Sequence, residues 1–162
     1  MDASLRPLHP SDLARVAEIE RHTFSDPWSA AAFQDALAQP HVRALAAVDE
    51  RGAVLGYTVG LLAADEAEVL NIAVDPPARG KGVGAALLEG MLEELRRAGA
   101  RSVFLEVRRS NEAAIRLYRR SGFEILGARP DYYRQPREDA LTMGRFLGLE
   151  AQENDEGMHQ FG

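Results

Sequence analysis

The sequence predicts an α+β fold on one mixed sheet, and three observations carry that expectation. Several strand-like apolar runs precede the first strand–helix–strand unit, unlike the regular alternation of a doubly wound sheet. The best helical pattern lies mid-chain, between a glycine-rich turn and another strand-like run, which supplies that unit. With 162 residues the chain fits one domain and leaves no room for two separate cores.

Each element has its own local signal. Leu5 to Leu8 read as a short first strand, and Ser11-Asp12 offers a helix start. Leu13, Val16, Ala17 and Glu20 follow it at helical spacing. Pro27-Trp28-Ser29 interrupts the chain, Ser29 caps a second short helix carrying Phe33, Ala36 and Leu37, and Pro40 ends it. Residues 42–49 and 53–63 read as a hairpin through Asp49-Glu50-Arg51-Gly52, and 66–75 as a third strand. After Pro76-Pro77 and the run RGKGVG, Ala85, Leu87, Leu88, Met91, Leu92 and Leu95 form an apolar stripe that Gly99 stops. Residues 102–108 predict a strand, 111–121 a helix stopped by Gly122, and 123–126 with 140–146 the final strands. Residues 148–162 hold four acids, no lysine or arginine and little to bury, so a folded domain over 1–147 and a loose acidic tail are expected.

Composition narrows the function classes. Apolar residues at 46% and charged ones at 27% rule out wholesale disorder. The absence of cysteine removes disulfides, thiolate zinc sites and a cysteine nucleophile, and fits a reducing compartment. No apolar run approaches the roughly 20 residues of a membrane helix, and the start lacks the pattern of a signal peptide. A soluble cytoplasmic protein is expected, with no membrane partner.

The net charge of −6 hides a sign change: residues 1–78 sum to −7, residues 79–120 to +5, and residues 121–162 to −4. A basic middle inside an acidic chain suits a local anionic ligand better than nucleic acid, which calls for a broad positive field. On charge alone, a solvated helix face explains it equally well. The residues around position 80 decide the matter.

Three glycines in Arg79-Gly80-Lys81-Gly82-Val83-Gly84 let the backbone turn tightly, so that consecutive amides can face one anion. The following helix adds its positive end, and Arg79 and Lys81 add formal charge. A triphosphate P-loop fails here, because Gly82 stands where Ser or Thr must follow the lysine. Gly80, Gly82 and Ala85 fit a dinucleotide fingerprint, with Glu106 near the expected offset. However, residues 75–79 separate strand from glycines where that loop turns directly off the strand.

The run NIAVDPPARGKGVGAALLEGMLEEL resembles the acetyl-coenzyme-A signature of the GNAT N-acetyltransferase superfamily, with Arg79, Gly82 and Gly84 on its Arg/Gln-x-x-Gly-x-Gly/Ala pattern. LEVRRSNEAAIRLYRRSGF, YYRQPREDALTM and the early FSDPWS resemble, more narrowly, the ribosomal-protein-alanine N-acetyltransferase (RimI) type. The likeness covers about residues 4–147. It implies a single GNAT domain with a mostly antiparallel mixed sheet of six or seven strands and about four helices. It implies acetyl-CoA as cosubstrate, with the backbone of Ile72, Ala73 and Val74 pairing with the pantetheine arm. Gly80, Lys81, Gly82, Val83, Gly84 and Ala85, with Arg79, would hold the pyrophosphate, and Asn111 would contact the cofactor. Read from the residues alone, Asn111 is a helix cap after Ser110.

Glu106 shares a strand face with Phe104 and Arg108, and a glutamate between Leu105 and Val107 calls for a reason. Without the resemblance, a solvated or arginine-paired face suffices; the resemblance implies the general base. Tyr118 lies two helical turns after Asn111, where a core aromatic is the default. The resemblance makes it the acid that protonates the departing thiolate, and a phenol with a reference pKa of about 10 keeps its proton at neutral pH. Trp28, Tyr132 and Tyr133 are implied at the acceptor end. His9, His22, His41 and His159 lack metal-ligand spacing, and Ser110 and Ser121 lack a His-Asp partner set, so direct transfer without metal is expected.

The resemblance implies an N-terminal alanine of a small-subunit ribosomal protein as acceptor. An α-amine of pKa about 7.8 is neutral at pH 7 in roughly one molecule in seven, against about one in 2,500 for lysine. That gap eases the work of one carboxylate base. A small-molecule amine or a protein lysine is the alternative acceptor, and a silent acyl-CoA-binding module the rival class.

Overall fold

Tight turns and helical connections build the sheet. The computed structural model describes residues 3–134 and 136–147. In chain order come β1 (Ser4–Pro7), α1 (Leu13–Thr23), α2 (Ala30–Leu37), β2 (Val42–Val48), β3 (Val54–Ala63), β4 (Glu66–Val74), α3 (Val83–Arg97), β5 (Ser102–Arg108), α4 (Glu112–Arg120), β6 (Glu124–Arg134) and β7 (Arg137–Phe146). The seven strands form one sheet in the order β1-β2-β3-β4-β5-β7-β6. Among the described residues only β4 and β5 pair parallel, and α3 is their crossover. The expected α+β class, strand number and four helices are what the described residues form.

Local chemistry explains the joints. Asp49 Oδ1 accepts from the backbone amides of Arg51 and Ala53, both at 2.9 Å, and Gly52 takes φ +84° to close the β2–β3 turn. Ser29 Oγ accepts from Ala32 N at 3.1 Å and caps α2. Ser11-Asp12 lies in a 3-10 turn, Pro10–Asp12, ahead of α1. Asp12 gives no side-chain cap to α1; it accepts from the Arg6 guanidinium at 2.7 and 2.9 Å and from His9 N at 2.8 Å.

Two apolar layers sandwich the sheet. On one face Leu88, Met91, Leu92 and Leu95 of α3 pack on Val69, Val103, Leu105 and Met143. On the other, Val16 and Ile19 of α1 and Phe33 of α2 pack on Ala46, Tyr57, Val59 and Ala73. Each fully buried leucine or phenylalanine contributes about 1.5–3 kcal/mol. α3 lies close over Gly60, where a Cβ would meet Met91 Sδ at 2.8 Å and oblige that side chain to shift.

The last two strands are longer than the expected 123–126 and 140–146. Pro130 is tolerated because β6 is the sheet edge, and Asp131 at φ +53° sits inside a register shift between Arg129 and Tyr133. Both strands therefore run on to the connection at Pro136. The expected tail, residues 148–162, falls outside the described residues.

Candidate active site

The site begins where two strands part. β4 and β5 pair only from Glu66↔Ser102 to Val69↔Leu105, yet β4 continues to Val74 and β5 to Arg108. A bulge in β4 sits at the same level: Val59 pairs with Asn71 and Gly60 with Val69, leaving Leu70 unpaired. The parting leaves β4 without a β5 partner over Ile72, Ala73 and Val74, whose amides and carbonyls on that edge suit an extended amide-bearing chain.

A cleft of about 840 Å³ occupies the gap. Glu106, Tyr118, Asn111, Ile72, Trp28, Tyr132 and Tyr133 all line it, so the structure brings together the expected base, acid and acceptor-end residues. The glycine loop lies beyond the end of β4, outside the cleft lining. There Gly80 and Gly82 take φ +78° and +84°, and Gly82 opens α3 in the left-handed region. The Arg79 side chain is turned away to tie two elements, donating to Val74 O at 2.9 Å and Thr23 Oγ1 at 3.1 Å. Asn111 Oδ1 accepts from Ala114 N at 3.1 Å and caps α4 while also lining the cleft.

Glu106 faces a cation that its own strand does not supply. Arg129 Nε, on β6, stands 2.9 Å from Glu106 Oε2. The contact lacks hydrogen-bond alignment, so buried Oε2 has no hydrogen-bond partner among the described residues. Arg108, its neighbour in sequence, reaches elsewhere, to Pro136 O at 2.7 Å, Glu138 Oε1 at 3.2 Å and Ser25 Oγ at 3.2 Å. Its guanidinium also stacks 4.2 Å from the Tyr133 ring centroid. Arg108 thereby ties the α1–α2 connection to the β6–β7 hairpin. Glu138 accepts from the Ser110 hydroxyl and amide as well as from Arg108, which together hold its carboxyl below the usual range.

The hydroxyls here are held in their neutral form. Burial, then Tyr133, pushes the Tyr118 phenol well up, and its ring packs 6.0 Å from Phe123. Burial, with Tyr132 and Glu106 nearby, raises Tyr133 to about 12, and burial followed by the Glu106 charge raises Tyr132. Burial and the Glu106 charge also raise Glu68, on β4, against the opposing pull of Arg129. Such a site offers a carboxylate acceptor and phenol donors around one gap.

Three further residues lack a contiguous signal in the sequence. Glu20 of α1 is 1% exposed and accepts from Tyr57 OH, Trp28 N at 2.9 Å and Asn71 Nδ2 at 3.2 Å. Asn71, at the bulge, and Arg129, across the sheet from Glu106, complete the set. The one available signal was Glu20 itself, a carboxylate in phase with Leu13, Val16 and Ala17 on the inward stripe of α1.

The profile of the acetyltransferase (GNAT) family matches residues 13–123. The chain is 42% identical to N-alpha-acetyltransferase RimI of Mycobacterium tuberculosis, an alignment covering 85% of this chain and 89% of the relative. It is 36% identical to the [ribosomal protein bS18]-alanine N-acetyltransferase of Escherichia coli, over 84% of this chain and 92% of the relative. The crystal structure of the ribosomal-protein-S18-alanine N-acetyltransferase from Escherichia coli superposes with a TM-score of 0.82, covering 90% and 94% of the two chains at 32% identity.

Proposed function

This chain belongs to the acetyltransferase (GNAT) family, and we propose that it is an acetyl-CoA-dependent N-terminal protein acetyltransferase. The proposed acceptor is the N-terminal alanine of a small-subunit ribosomal protein, the bS18 counterpart that the Escherichia coli relative's name specifies. The observation that carries this reading is the meeting of Glu106 and Tyr118 in one cleft where β4 and β5 part.

Acetyl-CoA fits the residues present: the unpaired β4 edge for the arm, and the amides of residues 80–85 at the start of α3 for the phosphates. When bound, it supplies the acyl thioester. Glu106 accepts a proton from the acceptor amine, whose nitrogen attacks the acyl carbon. Backbone amides of the β4 edge polarise the acyl oxygen, as preorganised donors do elsewhere. Tyr118, kept protonated by burial, gives its proton to the departing sulfur. Trp28, Tyr132 and Tyr133 line the acceptor end of the cleft.

Acetylation of an N-terminal peptide library, with the modified site mapped by mass spectrometry, tests this. Products on N-terminal alanine are expected. Predominant ε-lysine products, or acetylated small amines with no peptide product, overturn the acceptor assignment.

A further inference from the structure

Two buried acceptor atoms without a hydrogen-bond partner among the described residues belong to the same cleft: Asn71 Oδ1, and Glu106 Oε2 beside the Arg129 guanidinium. The orientation of the Asn71 amide is not free. Its Nδ2 stands 3.2 Å from both oxygens of Glu20, and those oxygens also accept from Tyr57 OH and Trp28 N. A carboxylate so surrounded takes donors only, so the amide nitrogen must face Glu20 and the carbonyl oxygen must face away. Asn71 is 8% exposed, and an apolar side chain at this strand position would have avoided leaving an acceptor unfilled. Glu20 thus holds Asn71 Oδ1 ready for a donor that the described residues do not supply.

The fold puts the two acceptors on one face. The bulge at Leu70 turns Asn71 toward α1, where it meets Glu20. Glu106 alternates with Leu105 and Val107 of the α3-side core and so faces the same way. Glu106 is the first residue after the last parallel pair, and Asn71 stands two beyond it on the opposite strand.

We infer that Asn71 is a binding residue for the acceptor's primary amine, with Glu20 as its positioning residue; this rests on the proposed N-terminal acetylation. A neutral primary amine carries two N–H bonds and one lone pair. Asn71 Oδ1 takes one N–H, Glu106 takes the other, and the lone pair is left for the acyl carbon. As the N–C bond forms and the C–S bond breaks, the Glu106-bound proton transfers to Glu106 and the Tyr118 proton passes to sulfur. The remaining N–H, now that of the product amide, stays on Asn71. Solvent then carries the proton from Glu106 back to Tyr118. A secondary amine has one N–H for two acceptors and leaves one unfilled.

The test compares wild type with Asn71→Leu, of the same branching but without the acceptor, on an alanine-initiated peptide and its N-methylalanine counterpart. On the primary amine, kcat/KM is expected to fall about 10-fold to 100-fold, the cost of losing such a bond. On the N-methyl peptide it should change less than about 3-fold, and the acetyl-CoA Kd less than about 2-fold. Equal loss on both peptides, no loss on either, or weakened acetyl-CoA binding with unchanged peptide KM overturns the inference; the last would assign Oδ1 to the cosubstrate's amides. Asn71→Ala gives the same readout if the leucine variant fails to fold. Independently of any variant, wild type must prefer the primary amine, and equal use of the two peptides overturns the inference as well. If wild type acetylates neither peptide, the proposed function itself falls, and this assignment with it.

Discussion

The two halves of the proposed site are built on different principles. The glycine loop, residues 79–85, is contiguous in sequence and offers mainly backbone: positive φ at Gly80 and Gly82 and the first amides of α3. The acceptor half is assembled from side chains far apart in the chain. Glu20 reaches Tyr57 and Asn71, Arg129 reaches Glu106, and Arg108 bridges Ser25 to Glu138. A backbone site is specified by where glycine is allowed, so its shape depends little on distant packing. A side-chain site exists only once the sheet has closed. Substitutions in one half should therefore leave the other's affinity unchanged, and each prediction below is a way to break or sharpen that division.

The largest effect is expected at Tyr118, which the reaction places between the halves. Tyr118→Phe keeps the ring packed against Phe123 and removes only the proton donor. Turnover should fall about 10²–10⁴-fold, with the Kd for acetyl-CoA and the KM for peptide nearly unchanged. Normal turnover under conditions where chemistry limits the rate would return Tyr118 to a core aromatic. Next comes Glu106→Gln, expected to lower turnover about 10²-fold at neutral pH. Its pH–rate profile should rise more steeply than wild type toward pH 9, because a larger fraction of the α-amine, with pKa about 7.8, is then neutral without a base. Parallel profiles with equal turnover would mean that deprotonation is handled elsewhere.

The same division explains what was legible in the sequence. RGKGVG shows its turn and its charge locally, whereas Glu106 and Tyr118 are singled out through the family resemblance of the runs that hold them, and the fold then brings the two to one cleft. Arg129 as the cation at Glu106 does not read, since β6 meets β5 only through β7 and its pairing shifts register near Arg129. Sequence adjacency points to Arg108, which the fold directs to the hairpin instead. Asn71 is hidden by a bulge, since strict alternation along β4 places it with Ala67 and Val69 on the α3 face. The ends of β6 and β7 are hidden by Pro130 and Pro136, which look like breakers until β6 proves to be an edge.

A smaller effect, confined to the acceptor half, is expected at Arg108. Arg108→Met keeps part of the aliphatic stem but removes the guanidinium that stacks on Tyr133 and donates to Pro136 O, Glu138 and Ser25 Oγ. The two walls it ties should lose their fixed spacing. Peptide KM is expected to rise about 10-fold, while acetyl-CoA affinity by calorimetry stays put. Loss of acetyl-CoA affinity along with the peptide effect would show that the halves are coupled through β5.

The smallest effect isolates charge in the cofactor half. Gly82 lies at φ +84° with nothing within 4 Å of an added Cβ, so a substitution there meets a conformational cost and no clash. Asparagine and aspartate are the side chains that best tolerate this region, and they are nearly the same size. Gly82→Asn and Gly82→Asp therefore share their backbone cost and differ by one negative charge at the start of α3. A charge at a helix terminus is worth about 0.3–1 kcal/mol, and on an isolated helix a carboxylate in this position would be favourable. If residues 80–85 hold the cosubstrate's phosphates, that sign reverses on binding, and the aspartate variant should bind acetyl-CoA about 2- to 5-fold more weakly than the asparagine variant. The gap should narrow at high salt, because the charges lie in solvent reach. Peptide KM should be the same in both variants. Equal acetyl-CoA affinities at low salt would mean that the loop only opens the helix and that the phosphates are held elsewhere.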